Sequence, residues 1–341
     1  MDILDNKNKT KRLGYIDFAK GLCAFFVVIS HSRCDSLNFI YPFYCYFFLP
    51  LFFIISGFLF RPQPELLVKD FLLKLLRKLV IPYILLAILG VISVKSFWSL
   101  IFTFNLNALV QCFLPIFLGK TYWFVANLIV VQLSFFCILF TFKRFQSIVV
   151  KSTVAIMGFF CVFVINRGDS PGYLPYNLDT LPLTLGYFSL GALIKELGIL
   201  QMFNKNRMGI LLSLFSLFVY TSIVYAFGDA NINMHLNQYG DCPLKYIIYS
   251  LIGSFAIVYF SINYSFGFFI KAVGKYSLIV YCTQRTAFVL ATYTLRCFVN
   301  DNAIGQNIML STIYVILTCI YSLVFALLLK RFFPIVLGGS K

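Results

Sequence analysis

The chain has 341 residues, of which 60% are hydrophobic and only 12% charged, and its formal net charge is +16. So large an apolar fraction exceeds what one soluble core buries, which excludes a water-soluble globular domain. The basic residues lie in short clusters between apolar runs, so the charge indicates membrane topology and not nucleic-acid binding. The sequence therefore predicts an all-α, polytopic integral membrane helix bundle, a single domain over residues 1–341 in contact with membrane lipids.

Apolar runs of about 20 residues, long enough to cross a hydrocarbon layer of about 30 Å, recur along the chain. Polar, proline or glycine breaks divide them into about ten predicted transmembrane helices. These are 14–33, 42–60, 79–96, 122–142, 148–166, 179–197, 208–228, 245–263, 276–297 and 307–329. We interpret the remaining apolar segment, 97–121, as an interfacial helix, because a further crossing would reverse the charge pattern that follows. A re-entrant helix and an additional span are the alternatives.

Clusters of lysine and arginine mark alternate connections between these helices. They lie at 7–12, 61–78, 143–151, 195–207, 271–275 and 330–341. The positive-inside rule places such clusters in the cytoplasm. Both termini are therefore predicted to be cytoplasmic, with an N-terminal tail at 1–12 and a C-terminal tail at 330–341. Within the cytoplasmic loop 61–78, apolar and basic positions alternate at helical spacing, which predicts an amphipathic helix.

The first predicted helix carries three side chains that are costly inside lipid, Asp17, Lys20 and His31. Lys20 and His31 are eleven residues apart, about 20° from three full turns, so they share one face about 16 Å apart along the axis. Asp17 precedes Lys20 on that face, and Asp35 follows His31 by about one turn. A histidine can take a proton from a hydroxyl or carry an acyl group. The alternative is structural, with Asp17 neutralising Lys20 and a neighbouring helix satisfying His31.

Three further features of the sequence involve polar or small residues. Arg285 is ionisable within a predicted span, where it either counters a carboxylate or stabilises the oxyanion of an attacked thioester. Ser56 and Gly57 are predicted to permit close helix packing, with a catalytic serine as the alternative. The second histidine, His235, lies in a predicted outer loop, for which we expect a structural role.

An ordered set of motifs runs through nearly the whole chain. It starts with the basic N-terminal cluster, YIDFAKG at 15–21 and the spacing from Lys20 to His31. It continues with LPLFFIISGFLF at 49–60, LLRKLVIPY at 75–83, YWFVANLIVVQL at 122–133, YFSLGALIKE at 187–196 and GKYSLIVYCTQ at 274–284. The set resembles the acyltransferase-3 family of membrane-bound acyltransferases that modify cell-surface glycans, and most of all its fucose 4-O-acetylase-like branch.

The resemblance implies an O-acetyltransferase that moves an acyl group from cytoplasmic acetyl-CoA to a hydroxyl of a cell-surface or lipid-linked glycan. It implies a multi-pass protein of the inner (plasma) membrane in which Lys20 serves acetyl-CoA use and His31 serves acyl transfer. The chain departs from the family pattern at Phe48 and Gln284, where many relatives have histidine. A transporter or flippase for a lipid-linked sugar is the alternative class that ten spans without a soluble domain also fit.

Three groups of candidate site residues follow. The catalytic candidates are His31, Asp35 and Arg285. The acetyl-CoA candidates are Lys20, Arg77 and Lys78, because phosphates need fixed positive charge near the cytoplasm, together with Asp17, which shares the face of Lys20. Ordinary positive-inside anchoring is the alternative for Arg77 and Lys78. The acceptor-binding candidates are Trp123, Tyr122 and Gln284, with interfacial anchoring as the alternative for the first two. No cluster of residues has metal-ligand spacing, so no metal is expected.

Overall fold

The computed structural model describes residues 13–61, 68–92, 106–165, 174–203, 207–229, 231–264 and 267–334. The helices are α1 (Gly14–His31), α2 (Tyr41–Tyr44), α3 (Phe48–Leu59), α4 (Val68–Leu75), α5 (Ile81–Ile92), α6 (Leu106–Phe117), α7 (Trp123–Thr141), α8 (Ser147–Ile165), α9 (Leu181–Glu196), α10 (Arg207–Phe227), α11 (Pro243–Tyr264), α12 (Phe268–Lys275), α13 (Ser277–Arg296), α14 (Asp301–Gln306) and α15 (Ile308–Phe332). Between α10 and α11, β1 (Ile232–Asn233) and β2 (Gln238–Tyr239) form a short antiparallel hairpin. The predicted all-α membrane bundle is confirmed.

Seven helices within the described ranges are long and apolar enough to cross a membrane. They are Gly14–His31, Val68–Ile92, Trp123–Thr141, Ser147–Val164, Arg207–Phe227, Pro243–Tyr264 and Ile308–Phe332. The predicted span 42–60 falls in a pair of helical segments bent by 48°, Asp35–Tyr44 and Phe48–Leu59, which adds an eighth crossing if the pair is one span. At the predicted spans 179–197 and 276–297, α9 has only 16 residues and α13 carries several polar side chains. The count of ten spans therefore stays a prediction.

The amphipathic segment predicted at 61–78 is continuous with the next span. α4 passes through a π-helical turn, Leu76–Val80, directly into α5, while 62–67 lie outside the described residues. Phe71 is buried and stacks on Phe136 with ring centroids 3.9 Å apart. The apolar face of this helix is therefore packed on the bundle.

The segment predicted as interfacial, 97–121, lies partly outside the described residues, since the structure omits 93–105. Its second half forms α6. The Tyr83 hydroxyl of α5 donates a hydrogen bond to the carbonyl oxygen of Ile116 at 2.6 Å, which ties α6 to the preceding helix. The interfacial placement stays a prediction.

Glycines bring several pairs of helices into backbone contact, and two of these pairs position the site. A Cβ atom on Gly57 would lie 1.8 Å from the carbonyl oxygen of Phe188, so α3 and α9 touch, and the packing role predicted for Gly57 is confirmed. A Cβ atom on Gly274 would lie 1.7 Å from the carbonyl oxygen of Asp17, and one on Gly21 would also strike α12. These contacts fix α12 against α1, and α13 follows after a break at Tyr276.

Candidate functional site

A cavity of about 580 Å³ lies between α1, α3, α4, α7 and α13. Its volume is in the range typical of small-molecule sites. Four basic side chains line one end, which we call the basic end: Lys20, Arg61, Lys74 and Lys78. Apolar side chains form most of the rest, among them Ala24, Val27, Leu49, Phe52, Phe124 and Leu128. None of the described residues that line the cavity is acidic. The cavity thus offers positive charge at one end and an apolar interior beyond it.

The sequence predicted two of the four basic lining residues, Lys20 and Lys78. Lys20 is half-buried on α1, whereas Lys74 and Lys78 are exposed. Their spacing of four residues along one helix was the signal that could have added Lys74 to the prediction. Arg77 is exposed, and neither Arg77 nor Asp17 lines the cavity.

The cavity follows one face of α1 towards His31. Lys20, Ala24 and Val27 line it at the spacing of a single helical stripe, and His31 is the next residue on that stripe. His31 itself is exposed at the end of α1, one turn beyond Val27, and does not line the cavity. The predicted shared face of Lys20 and His31 thus runs from the basic end to a point beyond the apolar interior.

The His31 ring is held by its own helix. Its Nδ1 atom lies 2.8 Å from the carbonyl oxygen of Val27 and 3.0 Å from the hydroxyl of Ser30. Because a carbonyl oxygen can only accept a hydrogen bond, this contact assigns the proton to Nδ1 and leaves Nε2 as the basic nitrogen. Asp35, predicted to orient the ring, accepts a hydrogen bond from Asn38 at 3.4 Å. No hydrogen bond joins it to His31 in the part of the chain that the structure describes.

The second histidine lies close to the first. His235 occupies the turn between β1 and β2, and its ring stacks on Trp123 with centroids 4.7 Å apart and planes 21° apart. Burial lowers the pKa of His235 to about 4, and charge on the nearby His31 lowers it in the same direction. His235 is therefore neutral at pH 7. We call this group, His31, Trp123 and His235, the histidine end.

Buried amide side chains hold the turn that carries His235. Asn127, one turn after Trp123 on α7, donates a hydrogen bond to the carbonyl oxygen of Asn177 at 2.8 Å. Asn177 in turn donates to the carbonyl oxygen of His235 at 2.9 Å, and both amides are fully buried. The His235 amide nitrogen donates to the Asn233 side chain at 3.1 Å. The position of the His235 ring is thus set before any ligand binds.

Three other predicted site residues meet at α13. The Tyr122 hydroxyl donates a hydrogen bond to the carbonyl oxygen of Cys282 at 2.7 Å. Arg285 is exposed, follows the cavity-lining Tyr281 by about one turn, and lies close enough to Tyr122 to act on it electrostatically. Gln284 is 7% exposed, and its Oε1 atom has no hydrogen-bond partner among the described residues. α13 therefore carries a cation and a buried amide just beyond the cavity lining.

No sequence pattern indicates that His235 lies near His31, because their nearness depends on the position of a hairpin far along the chain. Within the described ranges, no group of three or more His, Cys, Asp or Glu side chains is arranged to hold a metal ion.

The model of the acyltransferase-3 family, described as an acyltransferase domain, matches residues 13–331. The chain belongs to the acyltransferase-3 family. The match includes both the basic end and the histidine end, and it supports a membrane acyltransferase. No curated protein and no solved structure matches the chain significantly. For an acyltransferase-3 protein, the two ends offer complementary chemistry: positive charge that can bind an anionic donor, and an imidazole that can move a proton.

Proposed function

We propose that this acyltransferase-3 protein is an O-acetyltransferase of the fucose 4-O-acetylase-like branch, located in the inner (plasma) membrane. It transfers the acetyl group of acetyl-CoA to a hydroxyl of a cell-surface or lipid-linked glycan. One observation carries this proposal: a single stripe of α1 joins the basic end of the cavity to the basic nitrogen of His31.

The basic end suits the anionic part of acetyl-CoA. Its phosphates would bind Lys20 and the exposed cations of the basic end, Arg61, Lys74 and Lys78. The uncharged pantetheine arm matches the apolar interior, which ends near Val27, one turn before His31. The residues present therefore fit the donor, with Asp17 and Arg77 outside the cavity lining.

The histidine end suits proton transfer. Nε2 of His31 takes the proton of the acceptor hydroxyl as its oxygen attacks the thioester carbonyl. When the tetrahedral intermediate collapses, the carbon–sulfur bond breaks and the imidazolium returns the proton to the CoA thiolate. The positive charge of Arg285 favours the oxyanion of that intermediate. In this proposal the acceptor binds to Trp123, Tyr122 and Gln284. The negative charge of Asp35, four residues after His31, favours the imidazolium.

The test uses membranes that contain the protein, radiolabelled acetyl-CoA and surface polysaccharide from which O-acyl groups have been removed with mild alkali. We expect the polysaccharide to become labelled and free CoA thiol to appear. His31→Ala should lower both by about 100-fold or more, the usual contribution of a general base. Arg33→Gln, an exposed neighbour of His31, is the control for expression and folding. Full activity in His31→Ala, or sugar movement across the membrane without thioester consumption, would contradict the proposal.

A further inference from the structure

The hairpin Ile232–Tyr239 carries a side chain that the proposed mechanism does not use, His235, which lies close enough to His31 for their charges to interact. Its ring is half-buried and lies face to face with the indole of Trp123. The hairpin is also tied to α2, because the Tyr41 hydroxyl donates a hydrogen bond to the carbonyl oxygen of Ile232. The hairpin therefore contacts the start of α7 and the helix that follows α1.

His235 is held by its backbone and by its ring. Its carbonyl oxygen accepts a hydrogen bond from a fully buried amide, its amide nitrogen donates one to Asn233, and its ring stacks on Trp123. The amide that holds it, Asn177, is itself held by Asn127 of the helix that carries Trp123. One helix thus positions both stacked rings, which keeps them at a constant distance from each other.

We propose that His235 is a positioning residue for the acceptor: together with the indole of Trp123, its ring forms one wall of an acceptor-sugar subsite that faces His31. A sugar has apolar C–H faces that pack on flat aromatic rings and hydroxyl edges that remain free to react. A neutral ring next to His31 also adds no positive charge to oppose the imidazolium that forms there during transfer. The inference rests on the proposed function and names the acceptor side of that same site.

The experiment separates acceptor binding from donor binding. The initial rate of labelling is measured while the de-O-acylated polysaccharide is varied at saturating acetyl-CoA, and then while acetyl-CoA is varied. His235→Ala should raise the KM for the polysaccharide about tenfold, the effect of losing one aromatic contact. The KM for acetyl-CoA should change by less than about twofold, since the basic end is untouched.

Two further variants show whether the His235 ring contacts the acceptor sugar or only maintains the fold of its turn. His235→Phe keeps a flat ring against Trp123 and should restore the KM for the polysaccharide to within about threefold of the wild-type value. Leu236→Ala removes a side chain of similar size from the same turn and should leave both KM values near those of the wild type. An unchanged polysaccharide KM in His235→Ala, or an equal rise in both KM values, would overturn the inference.

The wild-type protein itself separates the two proposals. If it consumes acetyl-CoA and labels the polysaccharide while His235→Ala behaves identically, the subsite inference fails and the proposed function stands. If wild-type membranes neither consume acetyl-CoA nor label the polysaccharide, the proposed function fails and the subsite inference fails with it.

Discussion

The basic end and the histidine end each contribute one side chain to the same face of α1, Lys20 and His31, yet the side chains of the two ends are held very differently. Three of the four cations at the basic end, Arg61, Lys74 and Lys78, are exposed and extend on long, flexible side chains. At the histidine end, His31 is bonded to its own helix and His235 is stacked on Trp123 over buried amides.

This difference follows from the chemistry proposed for each end. Coulomb attraction between cations and phosphates acts over several ångströms and tolerates mobile side chains. Proton transfer to an attacking oxygen needs a donor and an acceptor within about 3 Å and in the right orientation. Rigidity in this protein is therefore concentrated where geometry matters most, and substitutions at both ends test that contrast.

The largest effect is expected from the helix contact that supports both ends, at Gly21 of α1. A Cβ atom there would lie 1.9 Å from the carbonyl oxygen of Ile270, which is backbone and cannot rotate away. Gly21→Ala should therefore destabilise the protein by about 3 kcal/mol or prevent its folding. Gly14→Ala on the same helix is the matched control, since its Cβ would meet only the Lys271 side chain at 3.7 Å. The melting temperatures of the two variants are measured by thermal unfolding in detergent. Equal melting temperatures for Gly21→Ala and Gly14→Ala would refute this account of the contact.

A smaller effect is expected for Lys20, the half-buried cation of the basic end. Lys20→Ala should raise the KM for acetyl-CoA about tenfold, because a charge-assisted hydrogen bond to phosphate is lost in a partly dry setting. Lys20→Arg should recover most of the affinity. The KM for the polysaccharide should stay near the wild-type value, and a larger change in it than in the acetyl-CoA KM would break the separation of the two ends.

The exposed cations Lys74 and Lys78 should each contribute less to acetyl-CoA binding than Lys20 does. Lys74→Ala and Lys78→Ala are expected to raise the KM for acetyl-CoA by about two- to threefold, and raised salt should diminish the difference from the wild type. Arg77→Ala is the matched control, because it removes an exposed cation from the same helix outside the cavity lining. If Arg77→Ala raises the KM for acetyl-CoA as much as Lys78→Ala does at every salt concentration, general surface charge and not the cavity governs donor binding.

The smallest effect concerns His235 and pH. Its pKa of about 4 lies below the ordinary value of 6.5, so the unfolded chain binds the proton more readily than the folded one. The stability that neutral His235 contributes is complete above about pH 6.5 and is lost as the pH falls from there towards 4. Between pH 7 and pH 5, the wild type should therefore lose about 2 °C more in melting temperature than His235→Phe. Equal losses would mean that His235 is not buried against Trp123 as described.

Several elements of the fold and the site were predictable because they depend on local geometry. Long apolar runs predicted helices, since a chain in lipid must satisfy its backbone hydrogen bonds within each segment. The face shared by Lys20 and His31 followed from the helical repeat alone. Where local geometry was not enough, the prediction differed: the helix expected at 42–60 is bent near Cys45, and the amphipathic helix runs on into α5.

The residues that complete the site depend on contacts between distant segments. Lys74 and Arg61 line the cavity because the packing of α4 and α3 brings their ends to Lys20. His235 reaches Trp123 because buried amides fold a hairpin over α7. No local pattern in the sequence encodes either arrangement.

Composition and helical periodicity were enough to predict the helical, membrane-embedded character of the protein and the stripe of α1 that carries Lys20 and His31, and the sequence motifs indicated its family. The helical periodicity acts over a few turns, and so does the contact of the His31 ring with Val27 of the same helix. The sharing of one cavity by several cations, and the nearness of His235 to Trp123 and His31, depend on the tertiary structure. Such juxtapositions are set by close backbone contacts such as that of Gly274 with Asp17, and by buried hydrogen bonds between segments far apart in the chain.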